Sequence, residues 1–114
     1  MSDCIFCKIA NGEFPALRVY ENEYVFAIND INPVAKVHVL IIPKKHYDNI
    51  LSLSGGDAAL LCAIQEAVRE VAKIKEISET GFRLISNCGK DGGQSVPHLH
   101  YHLIGGSELG QRII

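Results

Sequence analysis

The chain has 114 residues, 47% of them hydrophobic, with a formal charge of −2, a mean hydropathy of +0.12 and an isoelectric point near 6.2. This length and apolar content suit one domain over residues 1–114 with its own core, and leave no room for a second. The weak charge gives no long-range attraction for nucleic acid or an anionic membrane, so neither is expected as a partner. The opening Met1-Ser2-Asp3-Cys4 has neither a basic nor an apolar stretch, which argues against secretion and for a cytoplasmic protein. The longest apolar run, Val37 to Pro43, is interrupted by His38 and is too short to span a bilayer.

In chain order, Ile5, Phe6, Ile9 and Ala10 recur at near-helical spacing, and Gly12 closes a short N-terminal helix. Leu17 to Tyr20 and Tyr24 to Ile28 read as two strands joined by a turn at Glu21-Asn22-Glu23. Val37 to Ile42 is apolar and β-branched enough for a central strand, and Pro43 ends it. Ser54-x-x-Asp57 is a capping-box pattern opening a long helix that ends between Ser78 and Gly81. Leu60, Leu61, Ile64, Val68 and Val71 form its apolar stripe, with Gln65, Glu66, Arg69 and Glu70 facing outward. Phe82 to Asn87 is a further strand, a glycine-rich loop follows, and His98 to Ile104 is the last strand. This order predicts an α+β domain with a central antiparallel sheet of about five strands, one long helix and a short N-terminal one.

Three of the five histidines fall at His98, His100 and His102. Side chains of a strand alternate, so these three share one face while Leu99, Tyr101 and Leu103 pack on the other. A solvated strand face is the bland reading. A three-histidine metal site is disfavoured by length: at about 3.3 Å per residue the outer α-carbons lie about 13 Å apart, too far to share one zinc at bonds near 2 Å. A row of imidazoles suits an extended anion and can supply a nucleophile, a donor and a proton relay near neutral pH. The preceding loop, Asn87 to Ser95, adds glycines, an amide and a hydroxyl, and can aim backbone N–H groups at phosphate oxygens. Cys4 and Cys7 form a C-x-x-C pair, whereas Cys62 and Cys88 stand alone. In a reducing compartment that pair reads as half a metal site or as redox chemistry sooner than as a disulfide framework, or else as two reduced thiols on a short helix.

Gly92-Gly93-Gln94-Ser95-Val96-Pro97-His98-Leu99-His100-Tyr101-His102-Leu103-Ile104 resembles the histidine triad signature, with the lead-in of its Hint-like branch. Asp30-Ile31-Asn32-Pro33, His38 to His46, Phe6-x-Lys8-Ile9 and Gly105-Gly106 resemble the same branch in the same order, so the likeness covers nearly the whole chain. The resemblance implies a nucleotide hydrolase in which His100 attacks phosphorus and forms a covalent nucleotidyl-histidine, later released by water. It implies phosphate contacts for His102, Asn87 and Gln94, a substrate-binding place for Gly93, a place near the leaving group for Ser95, and a proton relay joined by His38. Asp30 would hold the ribose hydroxyls, unless it is simply a turn residue. Ile5, Phe6, Ile9, Ile28, Ile31 and Leu40 would wall the purine, roles hard to separate from plain core packing.

Similar prokaryotic members bind structural zinc, which here maps to Cys4, Cys7, His46 and His98, and no organic cofactor is implied. The branch forms two-fold dimers through the long helix and a strand, and Ile74 and Ile77 are apolar positions such a homodimer would bury. Two positions depart from the branch: Pro97 replaces an aromatic residue, and the tail Ser107 to Ile114 lacks a tryptophan. That tail lies near the partner's active site in relatives, so the departure bears on the leaving group. The implied substrate is a purine nucleoside 5′-phosphoramidate. The alternatives are a dinucleoside polyphosphate, as in the Fhit-like branch, or a nucleotide-binding or scaffolding module with incidental hydrolysis.

Overall fold

The computed structural model describes residues 3–114; the reading made of Met1 and Ser2 lies outside them. Helix α1 spans Ile5–Ala10, followed by strands β1 (Arg18–Glu21), β2 (Val25–Asn29) and β3 (Val37–Pro43). Two 3₁₀ turns, Ile50–Ser52 and Gly55–Asp57, lead into helix α2 (Ala58–Ile74), and β4 (Phe82–Ile85) and β5 (Tyr101–Gly105) complete the chain. The strands form one antiparallel sheet in the order β1-β2-β3-β5-β4. The expected α+β architecture is therefore the one observed. Among the described residues no helix is long and apolar enough to cross a membrane.

The sheet separates two apolar clusters, and strand alternation decides which residue joins which. Val25 and Ala27 of β2, Val39 and Ile41 of β3, and Leu103 of β5 pack with Leu60, Ile64, Val68 and Val71 of α2. The intervening Phe26, Ile28, Leu40 and Ile42 pack on the opposite face against Phe6 and Ile9 of α1. Each such side chain, fully removed from water, contributes about 1.5–3 kcal/mol of transfer free energy. Arg18 fixes α1 to this face: its guanidinium donates to the Ile9 carbonyl at 2.7 Å and lies 4.8 Å from the Phe26 ring centroid. His38 and His102 share the α1 face with Leu40, since β3 and β5 pair His38 with Ile104 and Leu40 with His102.

Several expected boundaries shift. The long helix stops at Ile74, before Ser78, because Glu76 turns left-handed (φ 58°). Its N–H then bonds the Lys73 carbonyl and that of Ile77 reaches Ala72, closing the helix end as a Schellman-type cap. Ile77 is thereby buried within the chain at 2% exposure, so it needs no partner subunit to cover it. Leu61, assigned to the packed stripe, is 43% exposed; Ala67 and Ala72 fill the interior face instead. The Ser54–Asp57 pattern is real but shapes the 3₁₀ turn before α2: Ser54 N–H donates to the Asp57 carboxylate at 2.9 Å. Strand β4 ends at Ile85, short of Asn87.

The last strand begins at Tyr101, not His98. Pro97 brings no N–H, and the Leu99 N–H leaves the sheet to bond the Tyr47 carbonyl at 2.7 Å. The alternation nevertheless persists through this irregular stretch. Leu99 is buried in the α2-side cluster, while the rings of His98 and His100 stand edge-on to Phe6 at 5.6 and 5.2 Å.

Candidate active site

Three backbone groups determine which nitrogen of each site histidine carries its proton. The His98 carbonyl lies 2.8 Å from His100 Nδ1, so that nitrogen is an N–H donor. The Nε2 atom of a neutral His100 is then left with its lone pair, the form a nucleophile requires. On β3 the Val34 N–H donates to His38 Nδ1 at 3.1 Å, which obliges a neutral His38 to hold its proton on Nε2. That Nε2–H faces His102 Nδ1 at 2.9 Å and the Asp30 carboxylate at 3.3 Å. His102 therefore accepts at Nδ1 and donates at Nε2. The polarity of the chain from Val34 through His38 to His102 is set by a peptide N–H that does not rotate.

The His102 pKa lies below the usual imidazole value, because burial disfavours its cation and His100 and His38 repel it, while Asp30 draws it partly back. His98 is lowered as well, chiefly by burial, with the Pro43 carbonyl acting the other way. Both rings are held toward the neutral form that a donor–acceptor relay and a metal ligand need.

Cys4, Cys7, His46 and His98 converge with all four ligand atoms within 4.8 Å of one another. His98 Nδ1 lies 3.1 Å from Cys4 Sγ, 3.5 Å from Cys7 Sγ and 3.1 Å from His46 Nδ1, and Cys7 Sγ lies 3.3 Å from His46 Nδ1. The edges of a tetrahedron with zinc–nitrogen and zinc–sulfur bonds near 2.0 and 2.3 Å are about 3.3–3.8 Å. The outer nitrogens point away: His98 Nε2–H donates to the Pro43 carbonyl at 2.8 Å and His46 Nε2–H to Asp48 at 3.1 Å. Both Nδ1 lone pairs thus face each other and two sulfurs, an arrangement relieved by a cation, and the outer partners are the kind that orient metal-bound imidazoles. The Cys7 N–H also donates to Cys4 Sγ at 3.4 Å, capping α1. These four side chains fit a metal ion.

Asp30, His38 and His102 also lie within 4.8 Å of one another, but their donor set does not fit. With Val34 N–H on Nδ1, His38 has no Nε2 lone pair to offer unless it becomes an imidazolate. A site shared by His98, His100 and His102 fails too, since both ring nitrogens of His98 are committed elsewhere, Nδ1 toward Cys4 and His46 and Nε2 to the Pro43 carbonyl.

A cavity of about 510 Å³ opens beside His100 and His102. Ile5, Phe6 and Ile9 of α1, Ile28 of β2, Leu40 of β3 and the exposed Ile31 form apolar wall; Asp30 and Ser95 also line it. Phe14, Pro15, Ala16, Leu17, Asn29 and Val96 complete the lining and were not foreseen. The apolar residues Phe14 and Leu17 flanking Pro15-Ala16 were the signal available for them; Leu17, read as the start of the first strand, lies before it, since β1 begins at Arg18.

His38 is buried behind the cavity wall at 7% exposure, and Asn87, Gly93 and Gln94 are not among the lining residues. Gln94 instead ties loops together: it accepts from the Gly89 N–H and donates to the carbonyls of Asp48 (2.7 Å) and Val96 (3.0 Å). The backbone N–H groups of Gly93 and Gln94 bond the carbonyls of Lys90 and Gly89. At Gly92 a Cβ would stand 2.5 Å from the Cys88 carbonyl oxygen, so only glycine lets this turn close.

The profile of the HIT domain matches residues 11–109 of the chain. Protein HitA of Neisseria gonorrhoeae is 44% identical over 105 residues, covering 92% of this chain and 97% of that protein. A HIT family hydrolase from Clostridium thermocellum superposes with a TM-score of 0.95 at 49% identity, over 100% of this chain and 99% of that one. A histidine triad nucleotide-binding protein from Candida albicans superposes with a TM-score of 0.80 at 34% identity, over 89% of this chain and 73% of that one.

Proposed function

The chain belongs to the HIT domain family, and on that premise we propose that it is a nucleotide hydrolase that cleaves purine nucleoside 5′-phosphoramidates through a covalent intermediate on His100. The observation that carries this reading is the 2.8 Å bond from His100 Nδ1 to the His98 carbonyl, which leaves the other ring nitrogen as the nucleophilic lone pair beside the cavity. The hydrolase and nucleotide-binding relatives point the same way.

In the first step His100 Nε2 attacks phosphorus, the P–N bond breaks, and the amine departs with a proton delivered through Ser95 and the His102–His38 relay. In the second, water attacks the same phosphorus and returns the borrowed proton to the relay, the P–Nε2 bond breaks, and the nucleoside monophosphate leaves. Dividing the reaction this way replaces one difficult displacement with two easier ones. His102 Nε2–H stabilises the phosphoryl oxygens, and Gly93 and Gln94 hold the loop that presents Ser95. Asp30 accepts from the ribose hydroxyls, and the purine lies against Ile5, Phe6, Ile9, Ile28, Ile31 and Leu40.

Cys4, Cys7, His46 and His98 would hold a structural zinc ion, whose part would be to position His98 and the N-terminal segment, with no role in activating water. The thiolates suit a reducing, cytoplasmic setting. The exposed Leu61 and Ile74 of α2 and Phe82 and Leu84 of β4 favour a homodimer.

The test is side-by-side incubation with adenosine 5′-phosphoramidate and diadenosine polyphosphates, using wild type and His100→Ala. The phosphoramidate should be turned over faster by wild type, and the variant should lose turnover while still binding AMP. Preference for the polyphosphate would reassign the substrate; appreciable turnover by His100→Ala would remove the covalent mechanism.

A further inference from the structure

We infer that Asp30 is a positioning residue that couples recognition of a vicinal-diol sugar to the histidine relay, because its carboxylate competes with His102 for one proton, the Nε2–H of His38. The inference rests on the function proposed above and adds a step to it. Asp30 stands between two environments: it lines the cavity, and its Oδ2 lies 3.3 Å from His38 Nε2. The other oxygen, Oδ1, is held by the Asn32 N–H at 2.8 Å, so the carboxylate is anchored with Oδ2 turned to His38. The His38 side chain is 4% exposed and that of Asp30 is 19% exposed, so a cavity ligand reaches Asp30 but not His38.

Among the described residues His38 Nε2–H has two acceptors, His102 Nδ1 at 2.9 Å and Asp30 Oδ2 at 3.3 Å. It has one hydrogen, because Val34 N–H occupies Nδ1. A three-centre bond of this kind divides its strength between acceptors. Two hydroxyl donors arriving on Asp30 satisfy and partly neutralise the carboxylate, which weakens its claim on His38. The Nε2–H then turns fully to His102 Nδ1, aligning His102 with its own Nε2–H directed to the substrate. Sugar binding thus completes the relay, and a ligand lacking the diol leaves the proton shared. The coupling predicts a signature that ordinary sugar binding lacks: the diol raises kcat as well as lowering KM.

The experiment compares adenosine 5′-phosphoramidate with its 2′,3′-dideoxy analogue on wild type, Asp30→Asn and His38→Gln. In wild type the dideoxy analogue should lose about tenfold in kcat, a modest share of what general acid–base groups supply, on top of its higher KM. In His38→Gln the kcat ratio should fall to near one while the KM ratio survives; in Asp30→Asn both ratios should collapse. A wild-type effect confined to KM, or a kcat ratio that survives in His38→Gln, overturns the coupling.

A second measurement does not depend on turnover or on the variants folding. In wild-type protein labelled with ¹⁵N in its histidine rings, AMP should shift the His38 Nε2 and His102 Nδ1 resonances, whereas saturating 2′,3′-dideoxy-AMP should leave them near their free positions. Equal shifts with both ligands, or bound AMP with no shift, overturn the coupling alone. Failure of AMP to bind overturns the nucleotide reading, and the coupling with it.

Discussion

The most exacting consequence of the site concerns an atom that is not part of any side chain. If Val34 N–H sets the direction of the relay, deleting that one hydrogen should damage catalysis although Val34 itself is 72% exposed. The clean perturbation replaces Val34 with its α-hydroxy acid, converting the amide to an ester and leaving side chain and chain length intact. His38 Nδ1 then keeps its lone pair in a nearly buried position with no donor.

Losing the partner of a buried acceptor costs about 1–3 kcal/mol. His38 recovers part of that by moving its proton to Nδ1, which turns an Nε2 lone pair against the one on His102 Nδ1, 2.9 Å away. The relay then runs backwards or breaks. At about 1.4 kcal/mol per decade, kcat/KM for the phosphoramidate should fall about 5- to 150-fold. Val34→Ala, which keeps the N–H, should stay within about twofold of wild type, the usual consequence of an exposed substitution. Steady-state kinetics on the three proteins, with thermal unfolding to show that each is folded, decides the matter. An ester variant as active as Val34→Ala would refute the claim that a backbone donor orients the relay.

Replacing Cys4 and Cys7 together by serine should abolish the metal content, near one zinc per chain in wild type by elemental analysis, and lower activity indirectly by freeing His98, whose carbonyl orients His100; retained zinc would move the ligands elsewhere. The lowered His102 pKa places an acid limb of kcat/KM below pH 6.5. The unfolded chain protonates this ring first as pH falls from 6.5, so the stability it contributes is complete above 6.5 and is lost as pH falls to its folded pKa. A pH–rate profile and pH-dependent denaturant melts should show both, and an acid limb centred above 6.5 would contradict the assignment. Light scattering at micromolar concentration should report twice the 12.5 kDa chain mass, and Leu61→Glu with Leu84→Glu should reduce it to the monomer; a wild-type monomer would remove the dimer.

Local pattern carried much of the architecture. Period-two alternation in Val25–Asn29, Val37–Pro43 and Tyr101–Gly105 sorts residues between two faces without reference to any distant partner, and it kept His98, His100 and Leu99 on their proper sides even where the ladder lapses. The C-x-x-C spacing was visible as half of a metal site for the same reason: two ligands one helical turn apart are a local fact.

What the sequence could not supply depends on groups far apart in the chain or on backbone atoms that every residue shares. Cys4 meets His98 across 94 positions, and only the packed sheet brings His46 to them. The helix ended at Ile74 because Glu76 took a left-handed conformation that closes over Ala72 and buries Ile77, a choice no glycine advertised. Gln94 reads as a phosphate donor until its amide is seen bonded to Asp48 and Val96.

The histidines mark the same division most sharply. Their presence and shared face are written in residue identity and strand period. The protonated nitrogen of each is decided by Val34 N–H and by the carbonyls of Pro43 and His98. Those peptide groups are chemically anonymous in a sequence, and they acquire direction only when the chain folds around them.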